Sequence, residues 1–136
     1  MIFTKGLSTN TRRWSDLDLD FIKHPNTKDI VKKTDVEAVK RAVRNLILTN
    51  RYERPFHPEI DGGVTRLLFE LATPSTKIEI ENAIRTVIKN FEPRAEVLDV
   101  FVGGDIDKNG FDVTITFRVI NHPEPVTIEL FLERLR

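Results

Sequence analysis

Asn90-Phe91-Glu92-Pro93-Arg94-Ala95 divides the chain into two kinds of pattern. From Thr34 up to this point apolar residues recur mainly at helical spacing, and beyond it they alternate as in strands. Pro93 fixes its own φ and disfavours helical geometry for Glu92, so the segment is a corner. A carboxylate and a guanidinium flank the proline and are expected to be held in a narrow set of orientations, which suits recognition better than catalysis.

Upstream of the corner, Ile80, Ala83, Ile84, Val87, Ile88 and Phe91 form one apolar stripe with Ile78 on its shoulder. Thr73 and Pro74 supply an N-cap and a first helical residue for it. An earlier helix is predicted from Val36, Val39, Ala42, Val43, Leu46 and Ile47, opened by a capping box of Thr34 and Glu37 and running to about Leu48. Val64, Leu67, Leu68 and Leu71 predict a short helix between these two, after the Gly62-Gly63 pair. Nearer the start, Leu17, Leu19 and Phe21 alternate with acidic residues after Trp14, as in a short strand or extended segment that His24-Pro25-Asn26 breaks. Residues 1–13 have few apolar side chains and read as an arm, flexible or ordered by a partner.

Downstream, Val97, Leu98, Val100, Phe101 and Val102 crowd together, which predicts a strand covered on both faces for part of its length. Phe111 to Val119 and Val126 to Leu132 alternate cleanly and predict two further strands. Short links make the three an antiparallel meander whose apolar face the helices must cover. The expected fold is therefore α+β, a C-terminal β-meander packed against about three helices with an extended N-terminal arm, in a single domain spanning 1–136.

Composition narrows the function. The chain carries 21 basic and 21 acidic side chains, so no net field draws it to nucleic acid or to an anionic membrane. Neutrality also offers little protection against association, which fits a part of an assembly. With no cysteine, disulfides, thiolate nucleophiles and Cys-ligated zinc are excluded. No apolar run approaches the length of a membrane span and no signal-like core follows Met1, so a soluble, unprocessed chain is expected.

Candidate chemistry thins out in the same way. Asp105-Ile106-Asp107-Lys108-Asn109-Gly110 matches half a calcium loop, but Thr116 stands where the bidentate glutamate is needed. A hairpin turn in which Asn-Gly supplies positive φ is the better reading. His24, His57 and His122 each precede a proline in separate loops, and no metal site or cofactor is expected. A glycan hydrolase needs a carboxyl with a raised pKa, whereas Glu92 lies beside Arg94 and Glu59 sits in an arginine-rich loop. That loop, Arg51-Tyr52-Glu53-Arg54-Pro55-Phe56-His57-Pro58-Glu59, has the composition of a contact surface. The competing reading has Phe56 plugging the core.

Trp14-Ser15-Asp16-Leu17-Asp18, Arg54-Pro55-Phe56 with Pro58-Glu59, Leu68-Phe69-Glu70 and Asn90-Phe91-Glu92-Pro93-Arg94 follow one another in an order and spacing that resembles the baseplate wedge and sheath-initiator family of contractile phage tails. Related proteins occur in contractile injection and type VI secretion machines. The resemblance implies a non-enzymatic structural part of the virion tail baseplate, made in the host bacterial cytoplasm. Glu92, Pro93 and Arg94 map to a corner that meets the helical bundle of a wedge protein, and the terminal meander, above all Val126, Ile128 and Leu130, to a surface on which tail sheath assembles by strand pairing. Arg54, Pro55, Phe56, Pro58 and Glu59 join these as partner-binding residues, with central-tube or spike-hub proteins as further neighbours. On this reading, alanine at Glu92 or Arg94 leaves folding nearly intact and stops assembly. The family also carries a lysozyme label, so a tail-associated peptidoglycan hydrolase is the alternative. One departure is visible: Ile60 is followed by Asp61 before the glycines at 62 and 63, where the family has an apolar residue and then glycine. The turn into the short helix is therefore expected to be shaped differently.

Overall fold

The computed structural model describes residues 15–17, 23, 25–26, 28–29, 32–105 and 109–134. The chain divides into two compact units, Met1–Ala38 and Val39–Arg136. In the first, β1 (Ser15–Leu17) pairs antiparallel with β2 (Lys32–Thr34), Asp16 opposite Lys33. The extended stretch expected after Trp14 thus appears over Ser15–Leu17, while Trp14, Asp18–Phe21, His24 and the arm at 1–13 lie outside the described residues.

Helix α1 (Val36–Leu48) follows, ending where the spacing predicts. Thr34 is the last residue of β2, and Asp35, with φ 52°, stands between strand and helix. Within the second unit Val39, Val43, Leu46 and Ile47 are buried, as the helical spacing requires. Thr49 closes the helix, its hydroxyl donating to Asn45 O at 2.6 Å.

Helix α2 (Val64–Leu67) is a single turn. Val64, Leu67 and Leu68 are buried, but the chain has left the helix before Leu71, which is exposed. The departure at Asp61 has a local purpose: its Oδ1 accepts from Gly63 N–H at 2.8 Å, and Gly63 takes φ 65°. Gly62 is pressed against the end of α1, where a Cβ would lie 2.6 Å from Ile47 O and 2.9 Å from Leu46 O.

Helix α3 (Pro74–Phe91) begins as predicted, with Thr73 Oγ1 accepting from Thr76 N–H at 3.2 Å and Pro74 in the first turn. Ile80, Ile84, Val87 and Ile88 are buried and Ile78 is exposed. The helix packs along β3 (Ala95–Asp105). Lys77 Nζ donates to Gly104 O at 2.8 Å near one end, Arg85 lies 3.4 Å from Asp99 midway, and the corner joins them at the other. Helix and strand therefore run antiparallel about the Pro93 turn.

Strand β3 pairs with β4 (Gly110–Val119), which pairs with β5 (Pro125–Glu133), in the order β3-β4-β5. This is the predicted antiparallel meander, and the α+β class holds. Phe111, Val113, Ile115, Phe117 and Val119 fill the inner face, joined by Val100, Val102, Val126, Leu130 and Leu132. The crowding in β3 has another cause than double coverage. Its register to β4 shifts between Val97 and Asp99, so Leu98 is the extra residue of a bulge. Phe101 is 63% exposed on the outer face. At the β3–β4 hairpin Asn109 has the positive φ, at 51°, and Gly110 does not. Gly110 is needed because a Cβ there would run into the Phe131 ring and lie 2.7 Å from Leu132 O.

Candidate partner-binding surfaces

Glu92 ends α3 with φ −128° and ψ 80°, the pre-proline geometry that stops a helix. Its N–H still donates to Ile88 O at 2.9 Å, and its carbonyl accepts from Ala95 N–H at 3.1 Å, so the chain reverses within three residues. The carboxylate turns inward. Arg94 Nε lies 2.6 Å from Oε1 and Nη2 2.7 Å from Oε2, a bidentate fork, and Arg94 N–H adds 3.3 Å to Oε1. Arg94 O in turn accepts from Ile120 N–H at 3.0 Å, which extends the corner to the end of β4.

Pro93 is exposed and Arg94 half-buried, whereas Glu92 is buried. The two charges are thus fixed in orientation, but they face each other. A groove of about 430 Å³ opens beside them, lined by Arg85, Lys89, Pro93 and Glu96 among others.

The loop from Arg51 to Glu59 is exposed throughout. Phe56 is 91% exposed and does not plug the core; Ile60, just after the loop, is buried instead. Tyr52, at φ 66°, donates its N–H to Pro58 O at 3.2 Å and closes the loop. Glu59 is held below the usual carboxylate range by its own backbone N–H first and by the His57 side chain next. Sequence reasoning credited nearby arginine with that effect, but the local hydrogen bonds supply it.

Strand β5 is an edge of the three-stranded sheet, with β4 on one side and no further strand among the described residues on the other. Val126 and Leu130 are buried and Ile128 half-buried on the inner face, so a strand added at this edge would meet β5 by its backbone. The corner, the loop and the edge lie on separate elements. Sequence reasoning missed Phe131, which is exposed on the outer face in phase with Thr127, Glu129 and Glu133. An apolar residue in the polar phase of a strand was the available signal.

Among the described residues no group of His, Cys, Asp or Glu is arranged to hold a metal ion, and no helix is long and apolar enough to cross a membrane.

The sequence pattern of the family described as Baseplate wedge protein gp25 matches residues 33–124. The Baseplate wedge protein gp25 of Enterobacteria phage T4 is 32% identical over 113 residues, covering 83% of this chain and 85% of that protein. Two solved structures share the fold. One, a baseplate of the anti-feeding prophage determined by cryo-electron microscopy, superposes with a TM-score of 0.63 at 21% identity, over 91% of this chain and 88% of the other. The second, a crystal structure named as a tail lysozyme from Geobacter sulfurreducens, gives 0.60 at 24% identity, over 71% and 90%.

Proposed function

Because the chain belongs to the baseplate wedge protein family, we propose that it is a non-enzymatic structural component of a contractile-tail baseplate, holding wedge proteins together and starting sheath assembly. The observation that carries the second half is the edge of β5, which no strand among the described residues pairs, at the end of a well-packed meander. An unpaired edge is a template for a strand from another chain, with main-chain hydrogen bonds giving affinity. The tail sheath protein supplies that strand in this reading, and Val126, Ile128 and Leu130 keep β5 anchored while its backbone is used.

The corner serves the wedge contact. Pro93 and the half-buried arm of Arg94 form a stiff knuckle where α3 turns into β3, and a helical bundle of a wedge protein packs against it. Arg54, Pro55, Phe56, Pro58 and Glu59 present a second contact from the opposite kind of element, an exposed loop. Central-tube or spike-hub proteins are the remaining neighbours for such a part.

The hydrolase alternative finds little support in the carboxylates. Both oxygens of Glu92 are occupied by Arg94, and Glu59 is shifted in the direction that a general acid cannot use. Purified chain that clears peptidoglycan, at a rate abolished by one carboxylate substitution, would favour it.

Co-expression with the adjacent tail genes, followed by electron microscopy, tests the assembly reading. Density for this chain is expected within the wedge, with a sheath strand continuing the sheet at β5. Assembled tails in which the β5 edge faces solvent would overturn sheath initiation by strand pairing.

A further inference from the structure

The loop between α1 and α2 carries an aromatic ring that the fold does not use. A single exposed ring is ordinary on a protein surface, so the setting of Phe56 decides its meaning. The backbone around it is closed by successive hydrogen bonds, Glu53 N–H to Asn50 O at 3.1 Å, His57 N–H to Arg54 O at 3.3 Å and Ile60 N–H to His57 O at 3.2 Å. Tyr52 N–H to Pro58 O spans the whole turn, and Pro55 and Pro58 restrict φ. At the foot, Gly62 N–H donates to Thr49 O at 3.0 Å, tying the loop to the end of α1. A ring presented on so restrained a loop loses little entropy on docking.

Charge within the loop is unevenly answered. Glu53 Oε2 accepts from Asn50 N–H at 2.7 Å, and Glu59 Oε1 lies 3.1 Å from His57 Nδ1, so both carboxylates have partners in the loop itself. The Arg51 guanidinium lies over the Tyr52 ring, 5.1 Å from its centroid, and neither Arg51 nor Arg54 forms an ion pair among the described residues. Two cations that form no ion pair among the described residues therefore share a short restrained loop with a 91% exposed phenyl ring.

We propose that Phe56, Arg51 and Arg54 dock as one unit into an apolar pocket rimmed by carboxylates on a neighbouring baseplate protein. The inference rests on the baseplate reading above and adds the chemistry of the surface that this loop meets. The ring is the apolar anchor, and the planar guanidinium forks match carboxylates bidentately around it. Stacking on Tyr52 holds the Arg51 guanidinium against a ring before the partner arrives.

Baseplates assembled in the host, with benzoylphenylalanine at position 56 of the full chain, test this by photolysis and mass spectrometry. A cross-link to one other baseplate protein is expected, at an apolar position with Asp or Glu beside it. Combining Arg51→Glu with Arg54→Glu is expected to lower the yield about tenfold or more, and the double Lys exchange to lower it less, since Lys keeps the charge but not the bidentate fork. A melting temperature equal to that of the unsubstituted chain shows that the reporter leaves the fold intact. Cross-linking only to lipid, to nucleic acid or within the chain, or none from particles that contain the chain, overturns the inference and leaves the baseplate reading standing. Particles that lack the unsubstituted chain altogether overturn both.

Discussion

Arg94 grips Glu92 across the intervening proline, its Nε 2.6 Å from Oε1 and its Nη2 2.7 Å from Oε2. The Glu92 side chain is 5% exposed and that of Arg94 26%. The fork therefore belongs to the fold before it belongs to any interface. It locks the angle at which the end of α3 delivers the chain into β3, and so fixes the lie of helix on sheet. A charge pair already satisfied within its own chain offers a partner shape more than charge. Pro93 is the exposed residue of the corner.

Burial makes the two ends of this pair unequal. Arg94→Ala strands a carboxylate with almost no access to water, a loss on the order of 2–4 kcal/mol. Glu92→Ala leaves a guanidinium that can turn partly to solvent, at about 1–2 kcal/mol. Neither variant is thus expected to leave folding untouched, which revises the simpler expectation drawn from the motif. Urea unfolding of both should place the midpoint of Arg94→Ala below that of Glu92→Ala. Two midpoints indistinguishable from that of the unsubstituted chain would show that the fork is not holding the corner.

The cap of α3 is a separate, smaller contribution. Thr73 Oγ1 accepts from Thr76 N–H at 3.2 Å, and Thr76 Oγ1 donates to Leu71 O at 2.6 Å, so the helix start is tied to the segment before it. Thr73→Ala is expected to cost about 1 kcal/mol, and Thr73→Asp, which keeps an acceptor at the N-cap, little or none. For a domain of this size the alanine variant should melt about 3–6 °C lower. Equal melting temperatures for the two variants would remove the cap from the account.

How far these features could be read from the chain depends on how local their causes are. α3 and the two alternating strands were legible because each presents one apolar face to one core, and periodicity records that directly. β3 was legible as a strand but not in how it is covered, since the bulge at Leu98 exists only in its register to β4. The Glu92–Arg94 spacing marked the corner but not the direction of the side chains, which α3 and β3 decide together. Nor could composition tell whether Phe56 points in or out, because Ile60 fills the core position that either residue could have taken.

Protonation of Glu59 in acid should loosen the contact loop. Glu59 titrates below 4.5, the ordinary value, chiefly through its own backbone N–H and then through His57. A carboxyl whose folded pKa is depressed favours the ordered loop above 4.5, and that preference fades as pH falls through the lower folded value. A carboxyl-carbon NMR titration of Glu59 is expected to show a midpoint below 4.5, and His57→Ala should return it only part of the way, because the backbone donor is the larger cause. A midpoint at or above the ordinary value would mean that the loop does not keep this geometry in solution.

Crowding at the β3–β4 hairpin gives the sharpest test of the sheet. The backbone of Gly110 is not in the left-handed region, so alanine is conformationally allowed there, and any cost must come from space. A Cβ would meet the Phe131 ring and lie 2.7 Å from Leu132 O, one neighbour that can swing away and one that cannot. Gly110→Ala is accordingly expected to destabilise by about 1–3 kcal/mol. Adding Phe131→Ala should recover part of that loss, since the exposed ring contributes little to the core and its removal relieves half of the clash. The recovery, read as the coupling term of a double-mutant cycle, separates ring from carbonyl. A double variant no more stable than Gly110→Ala alone would show that the ring yields freely, and that the Leu132 carbonyl by itself keeps position 110 for glycine.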